Sequence, residues 1–334
     1  MAVQQPIEDI PFDTPFDAAS TAEQVAAGVD LTGKLAVVTG GHSGIGRETT
    51  RVLRERGAHV VVPVRDPAKA AGMLDGFDGV EIERLDLVDP ASVDAFARRF
   101  LASGREVDIL VTSAGIMGVP LPRDARGHES HFATNHLGHF RLTARLAPAL
   151  ARDARVLSVS AAAHRLSPVV FDDLAFEHRE YHPMLGYGQS KTANILFALE
   201  LDRRGVRAFP VHPGSIVDTK LSGRATPETL RAMKLIDDDG KPVIDPYAGK
   251  KTVRQGASTS VWCAVSPRPA GRGGVYCLDN NIAPVAEERA HDANRHGTSE
   301  VPPAGVSPHA IDPAAAARLW SVSEELTGVG FPAR

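Results

Sequence analysis

Short apolar runs rich in β-branched residues recur along the chain from Leu35 onward. They are LAVVTG (35–40), HVVVPV (59–64), VEIERLD (80–86), VDILVTS (107–113), ARVLSVS (154–160) and VRAFPVH (206–212). Between them, the stretches 45–57, 67–74, 90–103, 127–151 and 187–204 carry helical spacing of apolar positions. Strands alternating with helices predict βαβ units, so the fold class is α/β, a doubly wound parallel sheet with helices on both faces. Start and stop signals agree. Asp66-Pro67 and Asp89-Pro90 each place an N-cap before proline at the first helical position, and Gly57 and Gly205 sit where C-caps belong.

The ends read differently. Residues 1–33 are rich in Pro, Asp and Ala and predict an arm laid on a core domain that spans 34–280. Within that domain, 213–250 is polar and weakly periodic, which predicts a mobile substrate loop. A helix is expected near 251–265, and GRGGVYCLD (271–279) reads as an edge strand. Residues 281–334 form a C-terminal extension, irregular over 284–312 and closing with a helix over 313–328 that stops at Gly328.

Composition narrows the partners. The chain has 334 residues, 43% hydrophobic and 23% charged, with a formal net charge of −4. No basic field invites nucleic acid or an anionic membrane, and no run approaches the ~18 apolar residues of a membrane span. The N-terminus lacks the pattern of a signal peptide. Two cysteines, Cys263 and Cys277, suit a reducing compartment, so a cytoplasmic, soluble protein is expected. No metal-ligand spacing stands out.

The first strand runs into VVTGGHSGIGRETT, where Gly40, Gly44 and Gly46 surround His42, Ser43 and Ile45. In such a turn one glycine permits the tight bend, one lets backbone N–H groups approach a pyrophosphate, and one lets helix pack on strand. The phosphates then face a helix N-terminus, which predicts dinucleotide binding. After the second strand comes PVRDP, with Arg65 at its tip. Asp66 is explained as a cap, and an arginine suits a ribose 2′-phosphate, so NADP is favoured over NAD. Asp86, after the third strand, either accepts from an adenine amino group or caps its own turn.

Tyr187 and Lys191, in YGQSK, stand one helical turn apart on one face. A phenol with pKa near 10 needs help to do acid–base work at neutral pH, and an adjacent ammonium and a cationic ring both favour the phenolate. Spacing alone proves little, because Tyr247 and Lys251 repeat it. The second pair lies beyond the polar loop and reads as an aromatic contact beside a solvated lysine.

Taken with TGGHSGIG (39–46), LDL (85–87), SAG (113–115), TNHLGHF (134–140) and HPG (212–214), the chain resembles the short-chain dehydrogenase/reductase family over residues 34 to about 280. NHLGHF, SKTANILFALEL and SEELTG resemble its retinol-dehydrogenase-like branch. The resemblance implies a Rossmann fold with a seven-stranded parallel sheet. It also implies hydride transfer between a nicotinamide and a small-molecule carbonyl or alcohol, and a homodimer or homotetramer. Carried onto this chain, it implies Tyr187 as acid/base, with Lys191 and with Asn135 holding a water chain to Lys191. Besides the glycine turn, Arg65 and Asp86, it implies Leu87, Ser113, Ala114, Gly115, Pro213, Gly214 and Lys191 at the cofactor.

Two departures follow. TSAG (112–115) replaces a common pair of asparagines, so hydroxyls or water must make the bonds those amides make. In SVSAAAH, anchoring on His164 puts Ala161 where the branch has the serine that holds the substrate carbonyl. Sliding by one makes Ser160 the donor but turns its neighbours to the wrong face. An NADP-dependent reductase in which Ser160, His164 or a substrate hydroxyl covers the gap is the first reading. The alternatives are a biosynthetic enzyme with modified carbonyl chemistry and a non-catalytic nucleotide-binding scaffold.

Overall fold

The structure is a computed structural model, and it describes residues 13–121, 123–216, 219, 221, 226–267, 272–286 and 305–332. Its strands are β1 (Leu35–Thr39), β2 (His59–Val64), β3 (Val80–Arg84), β4 (Val107–Thr112), β5 (Leu150–Val159), β6 (Ala208–His212), β7 (Cys277–Leu278) and β8 (Asn281–Ile282). They join in the order β3-β2-β1-β4-β5-β6-β7-β8. The direction of winding reverses between β1 and β4, which opens a crevice at the C-terminal ends of those strands.

The sheet has eight strands rather than seven, and it is not wholly parallel, because β8 pairs antiparallel with β7. The turn between them explains the difference. Asp279 and Asn280 take consecutive left-handed conformations (φ 53° and 60°), the geometry of a two-residue hairpin, so the chain doubles back on β7. β7 is therefore an interior strand.

Helices α1 (Ala22–Val25), α2 (Gly44–Glu55), α3 (Pro67–Met73), α4 (Pro90–Ala102), α5 (Gly138–Leu146), α6 (Pro183–Arg203), α7 (Pro227–Ala232), α8 (Val253–Gly256), α9 (Ser258–Val265) and α10 (Pro313–Thr327) cover the sheet. Successive residues of β1 feed opposite layers: Ala36 and Val38 pack with Val52, Leu53 and Trp262, whereas Val37 packs with Phe96, Phe140 and Trp320. Asp66, Asp89 and Asp312 each accept a backbone N–H at the start of α3, α4 and α10, and Gly328 ends α10 in the left-handed region.

Three predicted elements shift. The helix expected over 127–151 begins with a π-helical turn, Phe132–Leu137, and the chain is already strand at Leu150. Glu129 sets that start, accepting from the backbone N–H groups of His131 and Phe132. α6 begins four residues earlier than expected, where His182 Nδ1 accepts from Met184 N and proline follows. The segment 213–250, read as weakly periodic, carries α7 and bridges Ile236–Pro242 and Ser215–Lys250 among its described residues. Parts of it (217–218, 220 and 222–225), residues 1–12 of the arm and 287–304 of the extension lie outside the described residues.

Candidate active site

The glycine turn has no room for side chains. Gly40 (φ 68°) would bring a Cβ to 2.9 Å from Ala114 Cα, and a Cβ at Gly46 would run into the Gly40 carbonyl. Ser43, the N-cap of α2, makes no side-chain bond to the first turn, in contrast to Asp66 and Asp89 on the neighbouring helices. No Ser43 side chain caps the N–H groups at the start of this 12-residue helix, and glycine backbone lines the turn beside the Thr219 methyl. That cradle fits a pyrophosphate, with His42, Ser43 and Ile45 half-buried around it.

Arg65 is exposed just beyond β2 and, among the described residues, makes no hydrogen bond or ion pair. Asp66 is engaged as the cap of α3. Asp86 Oδ1 accepts from Val88 N at 3.2 Å, so in the chain itself it caps its turn. Leu87 is buried in the core, its carbonyl packed against Gly138 at the start of α5. Ser113, Ala114 and Gly115 follow β4 at the crevice, and Pro213 and Gly214 (φ 85°) follow β6. The missing asparagine pair is replaced by hydroxyls: Thr112 Oγ1 donates to Leu157 O across β4 and β5, and Thr39 Oγ1 accepts from Ser113 N and Ala114 N.

Tyr187 and Lys191 lie on α6, 4% and 5% exposed. The Lys191 Nζ stands 5.5 Å from the Tyr187 ring centroid and donates to Val159 O at 2.9 Å. Burial alone brings the lysine down to about 8. Burial raises the phenol of Tyr187 rather than lowering it, because desolvation of the phenolate outweighs every other effect in the chain by itself. Its hydroxyl makes no hydrogen bond to any described residue. Asn135, fully buried in the π turn, accepts from Ile116 N through Oδ1 and donates to Ile116 O and Ser190 Oγ through Nδ2. Ser190 Oγ in turn donates to Tyr187 O. The amide thus ties the loop after β4 to the turn of α6 that carries Tyr187 and Lys191.

The loop after β5 holds Ser160, Ala161 and His164. Ser160 is 1% exposed and its Oγ donates to Lys191 O at 2.9 Å, so its one proton is engaged. It is not free to act as the substitute donor. His164 is equally engaged, with Nδ1 donating to Ala161 O and Nε2 accepting from Ser307 N. With both ring nitrogens held by backbone and its ring against Tyr276, it does not cover the gap either. Ala161 stands half-buried at the start of the short 3₁₀ turn, pointing away from the side that Ser160 occupies.

The short chain dehydrogenase family matches residues 34–172. A probable oxidoreductase of Streptomyces lividans is 41% identical over 90% of this chain and the whole of its own. This chain is a member of the short-chain dehydrogenase/reductase family. Its retinol-dehydrogenase-like character is borne out by human retinol dehydrogenase 12, 36% identical over 90% of this chain and 88% of that one. A solved structure of an uncharacterized protein from Mycobacterium Paratuberculosis is 33% identical, covers 92% of this chain and 98% of its own, and superposes with a TM-score of 0.68. A short chain dehydrogenase from Burkholderia cenocepacia in complex with NADP shares the fold at TM-score 0.57 and 21% identity, over 75% of this chain and 98% of that one. The family makes the chain an oxidoreductase acting on small molecules. Among the described residues, no helix is long and apolar enough to cross a membrane.

Within this member of the family, sequence reasoning misjudged one lysine and missed several partners. Lys251 is not solvated: it is 1% exposed and paired with Asp279, while Tyr247 is 74% exposed with its hydroxyl on Asp17. Thr39, His139, Ser190 and the buried pair Glu129–His131, whose imidazole meets the Tyr187 ring edge-on at 5.9 Å, were not singled out. His139 alone had a signal, standing four residues after Asn135 and hence on its face. The contacts of Ser307 and His309 with the Ala161 loop span about 145 positions and carry no local mark.

Proposed function

We propose that the protein is an NADP-dependent reductase that transfers hydride between NADPH and a carbonyl or alcohol substrate, with Tyr187 as the acid. The observation that carries this reading is the convergence of Tyr187, Lys191 and Asn135 on one turn of α6, next to a bare glycine cradle. When bound, the nicotinamide supplies the hydride. Tyr187 hands its proton to the substrate oxygen, and the Lys191 ammonium compensates the phenolate left behind. Gly40, Gly44 and Gly46, with the N-terminus of α2, hold the pyrophosphate, and Arg65 takes the 2′-phosphate. Asp86 is free to meet adenine with its second oxygen.

With Ser160 and His164 both engaged by backbone, Tyr187 is the one side chain of this group left to hydrogen-bond the substrate carbonyl. A missing donor costs about 10²–10³ in rate in well-measured sites, so turnover survives at a reduced level. The retinol dehydrogenase relatives favour an apolar substrate, in keeping with the mixture of apolar and charged residues along 213–250.

The test is NADPH oxidation against a panel of apolar ketones, aldehydes and quinones. We expect turnover by the wild type and at least a hundredfold loss in Tyr187→Phe with NADPH binding retained. Ala161→Ser should raise the rate. Saturable NADPH binding without turnover anywhere on the panel would favour the nucleotide-binding scaffold. An unchanged rate in Tyr187→Phe would remove the acid role.

A further inference from the structure

His139, one turn after Asn135, is wholly buried, and burial drives its imidazole down to about 4, so it is neutral. Its partners fix the tautomer. Nδ1 lies 2.9 Å from Asn135 O, and a carbonyl can only accept, so Nδ1 carries the proton. Nε2, 2.9 Å from Thr39 Oγ1, is then a bare acceptor and takes the threonine hydroxyl proton ahead of Val111 O, which lies farther off at 3.3 Å. With its proton on His139, Thr39 Oγ1 faces Ser113 N (3.0 Å) and Ala114 N (3.1 Å) as an acceptor only. Every donor in this set meets an acceptor.

We infer that His139 is the positioning residue that sets Asn135 against the acid–base helix, with Thr39 holding the far side of its ring. One run of hydrogen bonds leads from Thr39, the residue before the glycine turn, through His139 to Asn135, and from the Asn135 amide through Ser190 to the Tyr187 carbonyl. The π turn at Phe132–Leu137 contributes by letting the Asn135 carbonyl accept from a side chain of its own helix. His139 touches neither substrate nor cofactor. It acts by fixing the height of Asn135 against α6, and through Asn135 the placement of Tyr187 and Lys191. The proposal rests on the reductase reading above for its kinetic consequence and on the hydrogen bonds alone for its structural one.

Two variants separate the two arms of the imidazole. In His139→Asn the side-chain N–H₂ replaces Nδ1–H and keeps the bond to Asn135. In His139→Gln the side-chain oxygen replaces Nε2 and keeps the bond to Thr39. The full-length chain with NADPH bound is assayed on the best substrate of the panel, and amide hydrogen exchange is followed along α6. His139→Gln should lower kcat about tenfold with the KM for NADPH within about twofold, and should quicken exchange around Tyr187–Lys191. His139→Asn should stay within about twofold of wild type in both. Equal losses in the two variants, or α6 exchange in His139→Gln that matches wild type, would overturn the role. If neither variant folds, Ser190→Ala cuts the same chain one link further on and must quicken α6 exchange for the proposal to stand. Wild-type protein without turnover would count against the reductase reading alone, because the exchange comparison still decides the part played by His139.

Discussion

Burial sets the proton affinities at Tyr187 and Lys191 in opposite senses for their use. It holds the phenol in its protonated form, which suits an acid, and it weakens the hold of the lysine on its proton, to about 8. An ordinary lysine titrates near 10.4, so the folded chain releases this proton more readily than the unfolded one. Two consequences follow with definite sign. The stability penalty for burying the ammonium is fully present below pH 8 and is relieved as the pH rises from there towards the ordinary lysine value. Reduction, which uses the charged lysine to stabilise the phenolate, should lose kcat/KM above about pH 8, and that limb should vanish in Lys191→Met. A profile flat from pH 7 to 9 would contradict it. The residues themselves were legible as a spaced pair. Their depth was not, because exposure is decided by β5, the π turn and α6 packing together.

At the scale of elements, α10 is the piece whose importance the chain hides best. Its Trp320 is 1% exposed and sits among Phe140, Phe197 and Phe331, at ring separations of 5.1, 5.9 and 5.3 Å, with the Arg204 guanidinium 4.3 Å from its ring centroid. His136, from the π turn, makes a buried hydrogen bond to Ser323 of the same helix. Helix α10 thus completes the layer over the π turn, α5 and α6, the three elements that carry Asn135, His139, Tyr187 and Lys191. Trp320→Ala should cost about 3–5 kcal/mol, read as a fall in the urea midpoint, because the cavity opens between three aromatic rings and cannot collapse. A loss under about 1 kcal/mol would mean that α10 is only loosely attached. The sequence marks α10 plainly by its Asp312 cap and Gly328 stop. The docking of α10 depends on a partner more than a hundred residues earlier, which no local pattern encodes.

For the whole molecule, the crevice between β1 and β4 is the place where nucleotide choice should register as stability. A ligand present at about a hundred times its Kd adds about 2.7 kcal/mol to the folded state. NADPH should therefore raise the melting temperature more than NADH at equal concentration, and Arg65→Ala should erase most of that difference. Equal shifts by both nucleotides in the wild type would remove Arg65 from cofactor choice. Strand positions, helix caps, the glycine turn and the Tyr187–Lys191 pair were all readable along the chain, because each rests on contacts or preferences within a few residues. Tertiary structure alone decided the rest. The eighth strand depends on two left-handed residues at the β7–β8 turn. The engagement of Ser160 and His164 depends on backbone groups of α6 and of the C-terminal segment. The partner of His139 at its Nε2, Thr39, lies a hundred residues away. A hydrogen bond has a direction and a partner, and a sequence names only the groups able to form one.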